Sequence, residues 1–169
     1  MNIFFKISRI TFLSIVVLLW IVSFFTVQNS LATVILTIIF MAIFVGWLYS
    51  AGYLLFLKAN GKVKLSLTKF RVAALYIVVY TAFFCWFATS VFPDNPSTLK
   101  GIFPFHILAM VAIVYVGRFT AMALKTVEMK RQAGFSDYSE VLFSLWLIPV
   151  GIWRIQPRIQ RALNIEPII

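Results

Sequence analysis

The sequence predicts an all-α integral membrane protein: a four-helix bundle followed by a short amphipathic segment at the membrane surface. Hydrophobic residues make up 62% of the 169 residues, and the mean hydropathy is +0.98, whereas soluble domains are only about 45–50% apolar. Four apolar blocks are each long enough to cross a hydrocarbon core of roughly 30 Å. The basic residues are concentrated in alternate linkers, as expected for a chain that crosses a bilayer repeatedly.

The first apolar block spans residues 10–27 and follows the basic residues Lys6 and Arg9. A basic start, an apolar core and small residues further on also resemble a secretory signal peptide. The apolar core is longer than such a signal requires, and the bulky residues Phe24 and Phe25 stand late in it. We therefore expect a true first span.

The second block spans residues 31–57, and a helix of that length is about 40 Å long, so it must tilt or project from the bilayer. Ala42, Gly46 and Ser50 recur at every fourth residue on one of its faces. Small residues at this spacing let two helices approach closely. We expect this face to pack against another helix, within the bundle in preference to another subunit.

The third block spans residues 72–92 and carries Tyr76 and Tyr80 one helical turn apart. A tyrosine hydroxyl inside a membrane span needs a hydrogen-bond partner. Thr81 and Thr89 are the nearest polar side chains in the sequence, and another helix is the alternative. Core hydrogen bonding explains the pair more simply than a polar cavity does.

The fourth block spans residues 102–124, with Arg118 near its end. A side chain there can snorkel to the headgroups. The functional alternative is a buried cation that holds a partner's carboxylate or a lipid phosphate. At the start of the block, His106 is expected to be solvated or to pair with Asp94 across the preceding loop.

The distribution of basic residues predicts the orientation of the chain. If both termini are cytoplasmic, every Lys and Arg except Lys100 lies on the cytoplasmic side. Basic residues flank membrane spans on that side. The sequence therefore predicts a bundle at residues 1–134, with both termini inside, and a cytoplasmic-side tail at residues 135–169.

The tail contains an apolar run at residues 141–153 that is too short to cross a bilayer. Asp137 and Glu140 have the spacing of a capping box, which predicts that a helix begins near Tyr138. Pro149 and Gly151 predict a break in the run, and Pro157 predicts the start of a new short helix. Whether the apolar run lies flat or dips into the membrane stays open.

Three arginines, Arg154, Arg158 and Arg161, are spaced so that they share one face of the predicted short helix. A basic face beside an apolar one is typical of a helix in the headgroup plane. Trp146 and Trp153 have the character of interfacial anchors. We expect these five residues, together with Arg118, to contact anionic lipids of the cytoplasmic leaflet or a protein partner.

Several chemistries are excluded by the composition. One histidine is too few for a four-helix cytochrome, which needs pairs of haem ligands. A single cysteine, Cys85, excludes a two-cysteine redox relay. The four apolar blocks hold no Asp or Glu, which proton-coupled carriers require. The net charge of +10 flanks the spans, so it does not indicate nucleic acid. We expect no catalytic residues, no metal and no cofactor.

The segment from Lys125 to Leu163, with the core LWLIPVGIWRIQPRI at residues 145–159, resembles a group of small bacterial inner-membrane proteins. The similarity covers roughly a quarter of the chain. The resemblance implies the bacterial inner membrane and the same four-span layout. It implies no activity and transfers no functional residue.

Together these features predict a non-catalytic accessory or assembly subunit of a bacterial inner-membrane complex, with another integral membrane protein as its partner. Two alternatives stay open. A small transporter, channel, or lipid- or anion-handling protein would use Arg118 and the basic tail. A membrane immunity protein would bind a toxin or peptide in an open lateral groove.

Overall fold

The computed structural model describes residues 3–25, 31–91 and 99–165. All regular structure in these ranges is helical, which confirms the predicted all-α class. In chain order the helices are α1 (Ile3–Lys6), α2 (Arg9–Phe25), α3 (Leu31–Lys58), α4 (Leu67–Ser90), α5 (Leu99–Met129), α6 (Phe135–Trp146) and α7 (Ile148–Leu163).

Helices α3, α4 and α5 are long and apolar enough to cross a membrane, which indicates a membrane protein. Helix α2 is also apolar, but its 17 residues make a helix of about 25 Å, shorter than a hydrocarbon core of roughly 30 Å. The predicted first span, residues 10–27, ends among residues that the structure does not describe. The first of the four predicted spans therefore stays a prediction.

The helices extend beyond the apolar blocks. Helix α4 begins at Leu67 instead of residue 72, because the Ser66 hydroxyl caps it by accepting a hydrogen bond from the Lys69 amide at 3.3 Å. Helix α5 continues to Met129 instead of ending at residue 124. Apolar blocks mark the part of a helix that can face lipid, and a helix can continue past that part when other helices pack against it.

Helices α3, α4 and α5 pack together around Gly52. A Cβ at position 52 would lie 2.7 Å from the Phe70 ring and 2.8 Å from the Thr120 hydroxyl, so only glycine lets the three helices meet here. The Thr120 hydroxyl donates to the Leu48 carbonyl at 3.2 Å, and Phe70 stacks on Phe119 with ring centroids 4.1 Å apart. The three helices therefore pack closely at Gly52.

Helices α6 and α7 form a hairpin beside α5. Leu142 of α6 contacts the Gly117 position of α5, and Leu145 and Trp146 line a small cavity with Ile113. Gly117 stands 12 residues before the end of α5, about 18 Å along the helix. The hairpin therefore runs alongside α5 and does not lie flat across the end of the bundle.

The predicted break and helix start in this hairpin were wrong in position. The chain turns at Leu147 (φ −88°, ψ 78°), and Pro149 lies in the first turn of α7, where a missing N–H costs nothing. Pro157 lies inside α7 and does not begin a helix. An interior proline costs roughly 3 kcal/mol, and burial of Ile152, Ile155 and Ile159 on the same helix offsets it.

Helix α7 also holds α1 in place. The Gln156 side-chain amide donates to the carbonyls of Phe4 and Ile7 at 3.4 and 3.1 Å. The Gln160 amide donates to the Phe5 carbonyl at 2.9 Å. Both glutamines are buried, and they satisfy carbonyl groups at the end of a four-residue helix that cannot satisfy them itself.

Candidate functional site

One end of the bundle collects the basic residues, and we call it the basic end. Here α3 ends, α4 begins and α5 ends, and the Lys62 ammonium joins these elements by donating to the Lys130 carbonyl at 2.9 Å. The last turn of α7 lies at the same end. Lys100 stands at the opposite end, in the first turn of α5. The basic residues that alternate along the sequence therefore come together at one end of the bundle.

Two of the tail arginines pair with carboxylates of the same chain. Arg158 holds Glu128 with two hydrogen bonds of 2.8 and 2.6 Å, and these bonds raise the pKa of Arg158. Lys125 lies 3.5 Å from the same carboxylate. Arg154 pairs with Glu140 at 2.9 Å, with both side chains more than half exposed. Two of the three arginines that were predicted to share one helix face are therefore paired with carboxylates of the same chain.

The carboxylate of Asp137 caps the first turn of α6. It accepts a hydrogen bond from the Gly134 amide at 2.8 Å and lies 3.1 Å from Arg131. The Gly134 amide, and secondarily Arg131, hold the pKa of Asp137 below its ordinary value. The predicted start near Tyr138 was therefore too late: α6 begins at Phe135, and Glu140 binds Arg154 instead of capping the helix.

Arg118 is exposed on α5, and its Nε donates to the Tyr138 hydroxyl of α6 at 3.0 Å. It is the first exposed residue after Val114 along α5. Its contact with a neutral phenol ties the hairpin to α5, just past the run of exposed apolar side chains that ends at Val114. Snorkelling of Arg118 to the headgroups stays a prediction.

The turn of the α6–α7 hairpin carries large exposed apolar side chains, and we call it the hairpin tip. The exposed fractions are 68% for Phe143, 56% for Trp146, 62% for Leu147 and 45% for Trp153. The tip lies deeper along α5 than Arg118 does, because Trp146 shares a cavity with Ile113. Both tryptophans that the sequence predicts as anchors are therefore exposed, Trp146 at the end of α6 and Trp153 in α7.

A lateral groove of 320 Å³ opens between α3 and α4. The predicted small-residue face is divided by it: Ala42 and Gly46 line the groove, whereas Ser50 is buried inside the bundle. Arg71 and Tyr49 line the groove near the basic end, and the Arg71 guanidinium lies 5.3 Å from the centre of the Tyr53 ring. The remaining lining is Val45, Ala74, Leu75 and Val78.

A second cavity, which we call the basic cleft, measures 410 Å³ and lies where α3, α5 and α7 end. Its charged lining residues are Lys58, Glu128, Lys130, Arg158 and Arg161. Sequence reasoning grouped the tail arginines but missed Lys58 and Lys130. The charge pattern alone assigns these lysines to one side of the membrane, and only the packing of α7 brings them to the same cleft.

The two tyrosines of α4 bond to α5 at the opposite end. The Tyr76 hydroxyl donates to the Phe105 carbonyl, and the Tyr80 hydroxyl lies 3.0 Å from His106 Nδ1. Of the two partners considered from sequence, another helix is the one observed, because Thr81 donates to the Ile77 carbonyl of its own helix. Thr89 likewise bonds to its own helix. The predicted pairing of His106 with Asp94 lies outside the described residues.

Within the described ranges, no group of three or more His, Cys, Asp or Glu side chains comes together as a metal site would require. No family model, curated protein or solved structure matches this chain. The candidate functional surfaces of the described residues are therefore the hairpin tip, the lateral groove and the basic cleft.

Proposed function

We propose that this chain is a non-catalytic accessory or assembly subunit of a bacterial inner-membrane complex, and that a transmembrane helix of another protein packs into the lateral groove. The observation that carries the proposal is the floor of that groove. Ala42 and Gly46 are small, lie one turn apart and line an open cavity of 320 Å³ between two membrane-length helices. A helix backbone can come close at such a floor.

The groove also specifies the partner's chemistry. Its walls are apolar along α4, at Ala74, Leu75 and Val78, and Arg71 stands at the edge nearest the basic end. An incoming helix with small or branched apolar residues would fit the walls. A carboxylate near that helix's cytoplasmic end would face Arg71, and a charge-assisted hydrogen bond there would set the register.

The membrane topology of the proposal is four spans with both termini in the cytoplasm. It is supported by the collection of basic residues at one end of α3, α4 and α5, the side on which the positive-inside rule expects them. Cysteines at positions 130 and 100, each in a Cys85→Ala background, test it. Inverted membrane vesicles should label Lys130→Cys and protect Lys100→Cys from an impermeant maleimide; the reverse pattern would contradict the orientation.

Affinity purification from mild detergent tests the subunit proposal. A stoichiometric membrane partner should copurify with the unaltered chain and be lost with Ala42→Leu, which fills the groove. Ala32→Leu is the matched control, because Ala32 is exposed on the same helix outside the groove. Equal recovery of a partner by both variants, or purification of the unaltered chain alone, would contradict docking in the groove.

The transporter alternative receives less support from the geometry. Tyr76 and Tyr80 bond to Phe105 and His106, whereas Arg118 stands 12 residues beyond His106, about 18 Å along α5. These polar groups therefore do not form one site. The immunity alternative is favoured by the same open groove, and the partner distinguishes it: a toxin or peptide would be captured only when supplied.

A further inference from the structure

The basic cleft lies well above the level of the bilayer surface. On α5, the run of exposed apolar residues that begins at Phe103 ends at Val114 and the exposed Arg118 follows, although Met129 in the last turn is exposed again; on α4, Arg71 precedes the exposed Val72. Arg118 and Arg71 mark the edge of the hydrocarbon region. Glu128 stands ten residues past Arg118, about 15 Å further along α5.

That height favours a molecule in solution over an ordinary lipid headgroup as the natural occupant. The polar region of a bilayer adds only about 5–8 Å on each side of its hydrocarbon core. A cleft about 15 Å above that core is therefore reached by molecules in solution. The basic end is the cytoplasmic one in the proposed orientation, on which the height of the cleft above the membrane depends.

The charge of the cleft is positive even after its internal compensation. Its described lining includes four basic side chains and one carboxylate, a formal charge of +3. Helices α3, α5 and α7 also point their C-termini at it, and each adds roughly −0.5 of dipole charge. A positive excess of roughly 1.5 charges remains. Lys62 supplies a further cation at the end of α5, through its bond to the Lys130 carbonyl.

The cleft is also partly organised before any ligand arrives. The two hydrogen bonds from Arg158 to Glu128 hold that guanidinium in one orientation, and its side chain is only 20% exposed. The Nε of Arg161 donates to the Pro157 carbonyl at 3.3 Å, which orients the outer part of its guanidinium. Lys58 and Lys130 are exposed and complete a set of donors from two helices, α3 and α7, and the loop after α5.

We propose that the basic cleft binds a soluble phosphate-class oxyanion from the cytoplasmic side, with Lys58, Lys130 and Arg161 as its principal donors. Guanidinium and ammonium groups bind phosphate oxygens through charge-assisted hydrogen bonds. Arg158 contributes from the floor of the cleft while it stays paired with Glu128. Because the ends of α3, α5 and α7 meet here, an occupied cleft would hold these three helix ends together.

The test is calorimetric titration of the full-length protein, in nanodiscs of neutral phosphatidylcholine, with inorganic phosphate and with pyrophosphate at constant ionic strength. Saturable binding of at least one of the two at one site per chain is expected. Arg161→Ala and Lys58→Ala should each weaken it about tenfold, the loss of one charge-assisted hydrogen bond. The two variants alter different helices at exposed positions, so a folding defect in one leaves the other informative.

Arg154→Ala is the matched control, because Arg154 is an exposed arginine of the same helix that pairs with Glu140 outside the cleft. The affinity of the Arg154→Ala variant for phosphate or pyrophosphate should stay within about twofold of that of the unaltered chain. Absence of saturable binding, or an equal loss in Arg154→Ala, overturns the proposal. A second titration in nanodiscs with anionic phosphatidylglycerol tests the source: if that lipid competes with pyrophosphate through Lys58 and Arg161, the cleft is a lipid site and the soluble assignment is wrong.

Discussion

Gly151 of α7 lies directly against the backbone of Ser144 in α6, so closely that a methyl group at position 151 would overlap the Ser144 carbonyl oxygen. The same methyl group would lie 3.0 Å from the Leu145 Cα. Since the obstacle is backbone, no side chain can rotate out of the way. This crossing gives the two helices the close contact on which the hairpin depends.

Gly151→Ala should therefore destabilise the protein. Overpacking at a close-packed contact costs about 1–3 kcal/mol, and the thermal unfolding midpoint of the purified protein in detergent should fall. Gly101→Ala is the matched control, because Gly101 is also helical and a Cβ there meets nothing within 4 Å. That variant should be neutral or slightly stabilising. Equal midpoints for the two variants would contradict the close crossing.

The buried glutamines of α7 should keep α1 attached. In the double variant Gln156→Leu/Gln160→Leu, the carbonyls of Phe4, Phe5 and Ile7 lose their donors. Each buried acceptor left without a partner costs roughly 1–3 kcal/mol. Tryptic cleavage after Lys6 should become faster than in the unaltered chain. Gln132→Leu, at an exposed position, should cleave at the original rate; if the double variant does so too, the attachment is not made by these side chains.

The hairpin tip should be protected by the bilayer. Leu147 is 62% exposed in the protein, so Leu147→Cys in a Cys85→Ala background should react readily with an impermeant maleimide in detergent. In inverted membrane vesicles the same cysteine should react slowly, whereas Lys130→Cys, which is exposed at the basic end, should react quickly. Equal labelling of both positions in the vesicles would mean that the tip lies in water.

The start of α6 should loosen in acid. Because the Gly134 amide and Arg131 lower the pKa of Asp137, the carboxylate stabilises the folded state above its ordinary pKa of 3.8. That contribution is lost as the pH falls below this value and through the lowered folded-state pKa. The protection of the Gly134 amide and of the first-turn amides of α6 from hydrogen exchange, measured relative to the intrinsic rate at each pH, should therefore fall below about pH 4. Asp137→Asn should show lower protection at pH 7 and little further loss in acid; an unchanged profile would contradict the cap.

The sequence predicts those parts of the fold that hydrophobicity and charge determine locally. The apolar blocks predicted α3, α4 and α5, and charge predicted which linkers meet at one end. The course of residues 141–163 could not be predicted, because Pro149 and Pro157 look alike in sequence while only the first stands at a helix start. Which proline is tolerated inside a helix depends on burial of Ile155 and Ile159 against distant elements.

In the candidate sites, too, the sequence predicts which residues share a helix face but not which elements contact them. A four-residue spacing identified Ala42, Gly46 and Ser50 as one face, but the packing of other elements around α3 decides that Ser50 is buried while the other two line the groove. Likewise, spacing grouped Arg154, Arg158 and Arg161. The partners of the first two, Glu140 and Glu128, depend on how α7 packs against α6 and α5, whereas Arg161 bonds to the Pro157 carbonyl of its own helix.

The central claim is that a helix of another protein occupies the lateral groove, and site-specific photo-crosslinking in intact cells tests it most directly. A photoreactive side chain at position 42 points into the groove, and one at position 32 is exposed on the same helix outside it. Position 42 should give one discrete crosslink to a single membrane protein, and Arg71→Glu should weaken it by reversing the charge at the rim. Position 32 should give none. No protein crosslink at position 42, or the same crosslinks at both positions, would contradict the account.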